Sequence, residues 1–404
     1  MRYVLEGCAL ALALTVTGAA QTLTMQIQPP TQPSAQRVMA TVTGHVTCSD
    51  TQQAARFANV VLVNAEESAG GSRQSGFGFG FGRRVMARTD LQGNFTVQVE
   101  PGDYYASATA TGYVSPAAEA AARLGASSSE ADLLAALPEV HVSEEGGGPV
   151  NITLDRGGVI SGKLQWDDGS PAAGVNVIAM PATTASGTGQ TDVRRLIAEL
   201  GGGFGGFNGG FQASDDRGVF RISGLAAGSY VVRATMMTPS AEPSRGGFGE
   251  RLSSIALYAP GKVRRSDAQM ITLKAGEERD DVAFTIDLNA LHTVSGHVSA
   301  TGDGGTVASG TVRLTDSADS TLTRMGSIQP DGSFVVQWVP AGTYTLSVTN
   351  ASSSPGFGYS GGRGQATSDG SAERFQQFQE PLTVSDSDVT GVGVSLAPVA
   401  TQAQ

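Results

Sequence analysis

His141-Val-Ser-Glu144 has the His-x-x-Glu spacing that zinc-dependent hydrolases use to grip their metal, and His292 lies far downstream as a third ligand candidate among only four histidines. Catalytic zinc needs three protein ligands converging on one point, with outer partners that orient them. The internal repeats described below align His141 with Thr272 and Thr383, polar positions of an alternating strand, so a structural role is expected. Gly358-Tyr-Ser360-Gly-Gly362 fits Gly-x-Ser-x-Gly. A nucleophile elbow needs a strand before it and a helix after it, whereas this match sits inside a glycine tract. Gly261-Lys262 lacks the earlier glycine of a phosphate-binding loop. The carboxylates of Glu277-Glu-Arg-Asp-Asp281, Asp386-Ser-Asp388 and Asp215-Asp216 lack the ligand spacing of a calcium loop and read as solvated turns. No catalytic, cofactor-binding or metal-binding residue is expected, and no cofactor.

Composition narrows the class further. The 404 residues carry 37 acidic against 26 basic side chains, a net charge of −11, and the basic residues form no stripe. Nucleic acid is a poor partner for such a surface, because neutralising phosphates supplies most non-specific affinity. Two cysteines, Cys8 and Cys48, exclude a disulfide scaffold. Arg2, the apolar run from Cys8 to Val16 and the small residues Gly18-Ala19-Ala20 have the layout of a secretory signal peptide cleaved before Gln21. No later run approaches the ~20 apolar residues of a spanning helix, so no transmembrane segment is expected after cleavage. Export is predicted, to the periplasm, the cell surface or the medium.

The elements that would position any site repeat along the chain. A short opening strand occurs at Val42-Thr-Gly44-His-Val46, Ile160-Ser-Gly162-Lys-Leu164 and Val294-Ser-Gly296-His-Val298. An alternating strand follows, with Val60 and Leu62, Val175 and Val177, and Val312 and Leu314. A turn then feeds an aromatic: Asp90-Leu-Gln-Gly93-Asn-Phe95, Asp215-Asp-Arg-Gly218-Val-Phe220 and Gln329-Pro-Asp331-Gly332-Ser-Phe334. A second turn leads into Gly102-Asp-Tyr104, Gly228-Ser-Tyr230 and Gly342-Thr-Tyr344. Period-two burial along these strands and the regular turn signals predict an all-β chain of tandem β-sandwiches. The segments are a signal peptide at 1–20, a flexible leader at 21–37, sandwiches at 38–156, 157–289 and 290–398, and a tail at 399–404. His45, Lys163 and His297 share one slot of the opening strand, which reads as outward-facing.

These motifs, in this order over roughly residues 38–398, resemble the carboxypeptidase regulatory-like domain. The resemblance implies transthyretin-like (prealbumin-like, Ig-like) sandwiches of the bacterial secreted type, and non-catalytic accessory, surface or carbohydrate-binding-like roles. It implies no peptidase activity. The second unit fits best, through Pro171-Ala-Ala-Gly174-Val-Asn-Val177 and Gly224-Leu-Ala-Ala-Gly228-Ser-Tyr230, while the third lacks Asp at the first turn position.

Glycine and phenylalanine concentrate in four patches outside any strand pattern, which hold eight of the fifteen phenylalanines. Phe77, Phe79, Phe81, Phe204, Phe207, Phe211, Phe248, Phe357 and Tyr359 are the residues through which such loops would contact a partner, a glycan or a cell-surface protein. Simple loop padding is the competing reading. Two short helices are expected, one from Ala117 to Leu137 in two pieces with a Ser127-Ser-Ser-Glu130 cap, the other from Asp192 to Leu200. The function expected is that of a cell-envelope or extracellular binding or structural module. A carbohydrate-binding protein using its aromatic loops is the first alternative, and a zinc metallopeptidase the second.

Overall fold

The structure, a computed structural model, describes residues 38–65, 84–124, 129–182, 200, 212–239, 252–302, 306–354 and 373–399. The signal peptide, the leader, the Gly-Phe patches with all nine aromatic loop residues, and the Gly-x-Ser-x-Gly match lie outside them.

The chain is all-β, as its alternation requires, and its sheets form three sandwiches in tandem. In the first, β1 (Ala40–Cys48), β2 (Asn59–Asn64), β3 (Arg84–Arg88), β4 (Asn94–Val99), β5 (Gly102–Thr109), β6 (Tyr113–Val114), β7 (Glu139–Ser143), β8 (Gly146–Gly147) and β9 (Val150–Arg156) make sheets ordered β4-β1-β9-β6 and β3-β2-β5-β7-β8. The second uses β10 (Gly158–Trp166), β11 (Asn176–Pro181), β12 (Gln212–Ala213), β13 (Val219–Leu225), β14 (Gly228–Pro239), β15 (Leu252–Tyr258), β16 (Ile271–Leu273) and β17 (Glu278–Ile286), ordered β13-β10-β17 and β12-β11-β14-β15, with β16 also on β14. The third uses β18 (Leu291–Ala300), β19 (Ser309–Asp316), β20 (Thr323–Ser327), β21 (Ser333–Pro340), β22 (Gly342–Ser352), β23 (Phe378–Val384) and β24 (Val389–Leu396), ordered β21-β18-β24 and β20-β19-β22-β23. In each sandwich the opening strand lies between the aromatic strand, antiparallel to it, and the last strand, parallel to it. One apolar core fills each gap between sheets.

The repeated motifs meet one another in these cores. Gly44 pairs with Phe95, Gly162 with Phe220 and Gly296 with Phe334. A Cβ on any of these glycines would overlap both that aromatic ring and a carbonyl oxygen of the parallel strand, from Val150, Val282 or Val392. Glycine is required here for close approach of backbone and ring. The tyrosines form the corner seen in many sandwiches, with the hydroxyl donating to a carbonyl four residues upstream. Tyr104 reaches Glu100 O at 2.9 Å, Tyr230 reaches Ala226 O at 2.8 Å, and Tyr344 reaches Pro340 O at 2.6 Å.

The first turn is also shared. Asp90 Oδ1 accepts from the amides of Gln92 and Asn94, both at 2.8 Å, and Asp215 Oδ1 from those of Arg217 (2.9 Å) and Val219 (2.8 Å). The amide of Asn94, in one case, and of Val219, in the other, holds each carboxyl below the ordinary range. Gln329 keeps the same backbone turn in the third sandwich, and Asp331 caps Ser333 instead.

Helices Pro116–Leu124 and Glu130–Ala135 cover the outer face of β2, so Val61 and Val63 are buried as well as Val60 and Leu62. The cap corrects the expected one: Ser129, two residues after Ser127, accepts from the Asp132 amide at 3.2 Å while Asp132 accepts from the Ser129 amide at 2.9 Å. Asp132 serves where Glu or Gln is usual because its short carboxylate still reaches back over one turn. Of the other expected helix only Leu200 is described; it is helical and packs fully buried against this layer. Between the second and third sandwiches, Arg264 forms an ion pair with Asp316 at 2.6 Å, and the Arg265 amide donates to Asp319 at 2.8 Å.

Candidate ligand-binding cleft

The residues first considered for chemistry are held apart by the sheets. His141 pairs across strands with Asp103, Nδ1 to Oδ1 at 2.6 Å, while Glu144 lies exposed in the following turn and His292 sits on β18. Among the described residues, no three His, Cys, Asp or Glu side chains group as metal ligands do. The outward slot has a use that its polarity alone did not reveal. His45 Nδ1 bonds Asn94 Oδ1 at 3.0 Å and His297 Nε2 bonds Asp331 O at 2.7 Å, each latching the turn before the aromatic strand. Lys163, in the same slot, is exposed.

A cleft of about 410 Å3 opens at one end of the first sandwich, lined by Cys48, Thr51, Arg56, Phe57, Arg88 and Tyr113 with small residues on its floor. That volume falls within the range of ligand sites, about 300–1,000 Å3. One wall is the loop from Ala54 to Ala58, which enters β2. The Thr89 hydroxyl clamps it, donating to Ala55 O at 2.5 Å and accepting from the Ala58 amide at 2.8 Å. The clamp leaves Phe57 in the left-handed region, φ 56°, with the residue 52% exposed. A bulky side chain there is strained, since its Cβ approaches the following carbonyl. Arg88, from the adjacent strand, grips the same residue twice. Its Nε donates to Phe57 O at 3.1 Å and its guanidinium lies 5.2 Å from the ring centre.

The opposite wall is Tyr113, whose hydroxyl donates to Asp50 Oδ1 at 3.1 Å. Burial, then the neighbouring Cys48 and Asp50, push this hydroxyl up to about 12, so it remains a donor at neutral pH. Arg156 stacks 5.0 Å over the tyrosine ring and pairs with Asp50 at 3.1 Å, which balances the charge at that margin. No carboxylate lines the cleft itself, so Arg56 and Arg88 make it electropositive on a chain of net charge −11. Guanidinium forks and an exposed ring can orient a planar anion. Sequence reasoning missed Phe57 because it lies outside the Gly-Phe patches. The strand pairing corrects the expected match of Val60 with Val175: Val60 corresponds to Val177, Val175 lies before β11, and aligning Asn59-Val60 with Asn176-Val177 sets Phe57 against Gly174.

No family model matches the chain, and no curated protein matches it. Among solved structures, the chain is similar to the Bacillus anthracis TIE protein at 10% identity and a TM-score of 0.20, over 89% of this chain and 51% of that one, so it spans about half of that protein's length. A streptococcal ancillary pilin is similar at 11% identity and a TM-score of 0.27, over 90% of this chain and 100% of the pilin. The minor pilin of Streptococcus agalactiae is similar at 11% identity and a TM-score of 0.28, over 61% and 98% of the two chains. No helix among the described residues is long and apolar enough to cross a membrane, which leaves β-barrel spanning unaddressed.

Proposed function

We propose that this chain is an exported, non-catalytic protein of tandem carboxypeptidase regulatory-like modules. It acts in the cell envelope or outside the cell as a binding or structural module, and the cleft beside Phe57 is its contact surface on the first sandwich. The observation that carries this reading is the cleft's make-up. It combines two arginines with an exposed phenylalanine on a strained backbone, groups that grip and orient. The family assignment is supported by how its motif residues are used. The glycine of the opening strand, the aromatic after the first turn and the corner tyrosine each serve the same contact in all three sandwiches.

Two measurements on the purified full chain test the reading. Metal analysis is expected to find no stoichiometric zinc; zinc at one per chain, lost in His141→Ala, overturns the non-catalytic assignment. Mass spectrometry of the native protein is expected to find a mature chain beginning at Gln21 in the envelope or medium. A chain retaining Met1 in the cytosol overturns export.

A further inference from the structure

Resting on the reading of the cleft as a contact surface, we propose that it binds a monocarboxylate carried on a ring, with Arg56 and Arg88 holding the carboxylate and Phe57 lying against the ring. The three sandwiches supply an internal control. A shared backbone bond aligns the three segments residue by residue, from Thr89 to Ala58 O, Ser214 to Val175 O and Ile328 to Gly310 O, and the first two share a hydroxyl clamp as well. Ser214 Oγ donates to Ala172 O at 2.6 Å and accepts from Val175 N at 3.0 Å, as Thr89 does with Ala55 and Ala58. Arg88 faces Asn59 in register, as Ala213 faces Asn176 and Ser327 faces Thr311. Arg56, Phe57 and Arg88 therefore stand where the second sandwich has Ala173, Gly174 and Ala213, and where the third has Ala308, Ser309 and Ser327. The second sandwich forms this loop with small residues, and the third carries small residues at the same positions where the chain enters β19. Folding accordingly does not account for the two arginines and the ring.

The backbone makes the same point. Gly174 takes φ 72° in open space, where a side chain would meet nothing within 4 Å. The first sandwich sets a phenylalanine in that conformation and exposes half of it. A strained, exposed side chain at a cleft is a feature that functional sites retain.

The ligand's chemistry follows from the lining. Arginine's planar fork matches a carboxylate bidentately. Arg56 has no carboxylate partner among the described residues, and Arg88 donates only its Nε to Phe57 O while its guanidinium lies over the ring. The net charge of −11 disfavours a dianion such as phosphate relative to a single charge. The exposed face of Phe57 suits either an aromatic ring or the apolar face of a sugar.

Calorimetric titration of the full chain with galacturonate and benzoate, each against its neutral counterpart, galactose and benzyl alcohol, tests the proposal. At least one acid is expected to bind with Kd of about 0.1–1 mM at low salt, tenfold or more below its neutral counterpart. Which acid binds distinguishes a sugar acid from an aromatic acid. Arg56→Gln, whose native side chain makes no bond among the described residues, is expected to weaken binding about tenfold with an unchanged thermal melt. Phe57→Gly is expected to weaken it comparably, and added salt to weaken it further. Absence of binding by both acids, equal binding of a neutral counterpart, or full binding by Arg56→Gln each overturns the carboxylate assignment. Neutral binding that is lost in Phe57→Gly overturns it while leaving the cleft a contact surface, and metal content and export decide the broader function separately.

Discussion

The loop from Ala54 to Ala58 in the first sandwich and that from Pro171 to Val175 in the second have one backbone plan and opposite surfaces. Both enter the second strand of their sandwich, and both are pinned by a buried hydroxyl just before the capping Asp, Thr89 before Asp90 and Ser214 before Asp215. Over that shared frame the second loop presents Ala173 and Gly174, and the first presents Arg56 and Phe57. The third sandwich has lost the hydroxyl: buried Ile328 occupies its place, and its amide still donates to Gly310 O at 3.0 Å. The difference separates what the fold needs from what it can spare. Hydroxyl clamp and left-handed residue shape the loop, and the side chains at 56, 57 and 88 are free to vary with use.

The strongest way to break this comparison is to remove the clamp. Thr89→Val and Ser214→Ala each leave a buried amide and a buried carbonyl unpaired, and each is expected to cost about 1–3 kcal/mol in denaturant unfolding. A negligible cost in either would mean that the loops do not depend on the hydroxyl. Exchange of the left-handed residue comes next. Gly174→Phe is expected to destabilise by about 1 kcal/mol, since strain of about 1–2 kcal/mol is offset by the entropy that Gly loses, about 0.4–1 kcal/mol.

The reverse change is expected to be smaller. Phe57→Gly relieves the same strain, yet it restores chain freedom to the unfolded state and removes the Arg88–ring contact, worth about 0.5–1 kcal/mol. Its net effect should lie within about 0.5 kcal/mol of zero. A marked stabilisation would show that Arg88 does not hold the ring in place.

The smallest effects concern the capping carboxylates. Asp90 and Asp215 are depressed by amide bonds in the folded state, so their contribution is present in full above the unfolded value of about 3.9 and is lost as pH falls through the depressed one. Asp90→Asn and Asp215→Asn should therefore lower stability slightly at neutral pH and leave it unchanged in acid, flattening the acid limb of a thermal-melting profile. An acid limb that survives both substitutions would assign it elsewhere, Asp331 of the third turn being the next group to examine.

Much of the architecture was legible because it is local. Alternation along Asn94–Val99 buries every second residue, and Gly93 and Gly218 take the positive φ that their turns demand. The aromatic and tyrosine motifs recur at recognisable intervals for the same reason. What each motif touches was not legible. His45 reads as a tolerated outward residue until the pairing of β1 with β4 brings it to Asn94. The double burial of β2 needs a helix layer whose docking no strand period announces. The cap at Ser129 shifted from the expected serine because adjacent serines offer equivalent hydroxyls, and only the helix's actual start selects one.

The amino-acid sequence alone determined the all-β class, the threefold repetition and the turn positions, since steric preference and period-two burial act within a few residues of chain. Tertiary structure decided everything that joins distant residues. Gly44 gains its necessity only against Phe95 and the parallel strand at Val150. Arg88 reaches Phe57 across 31 residues because β2 and β3 pair in one register. That register follows from burying one face of every strand in a common core, a condition set by the whole sandwich.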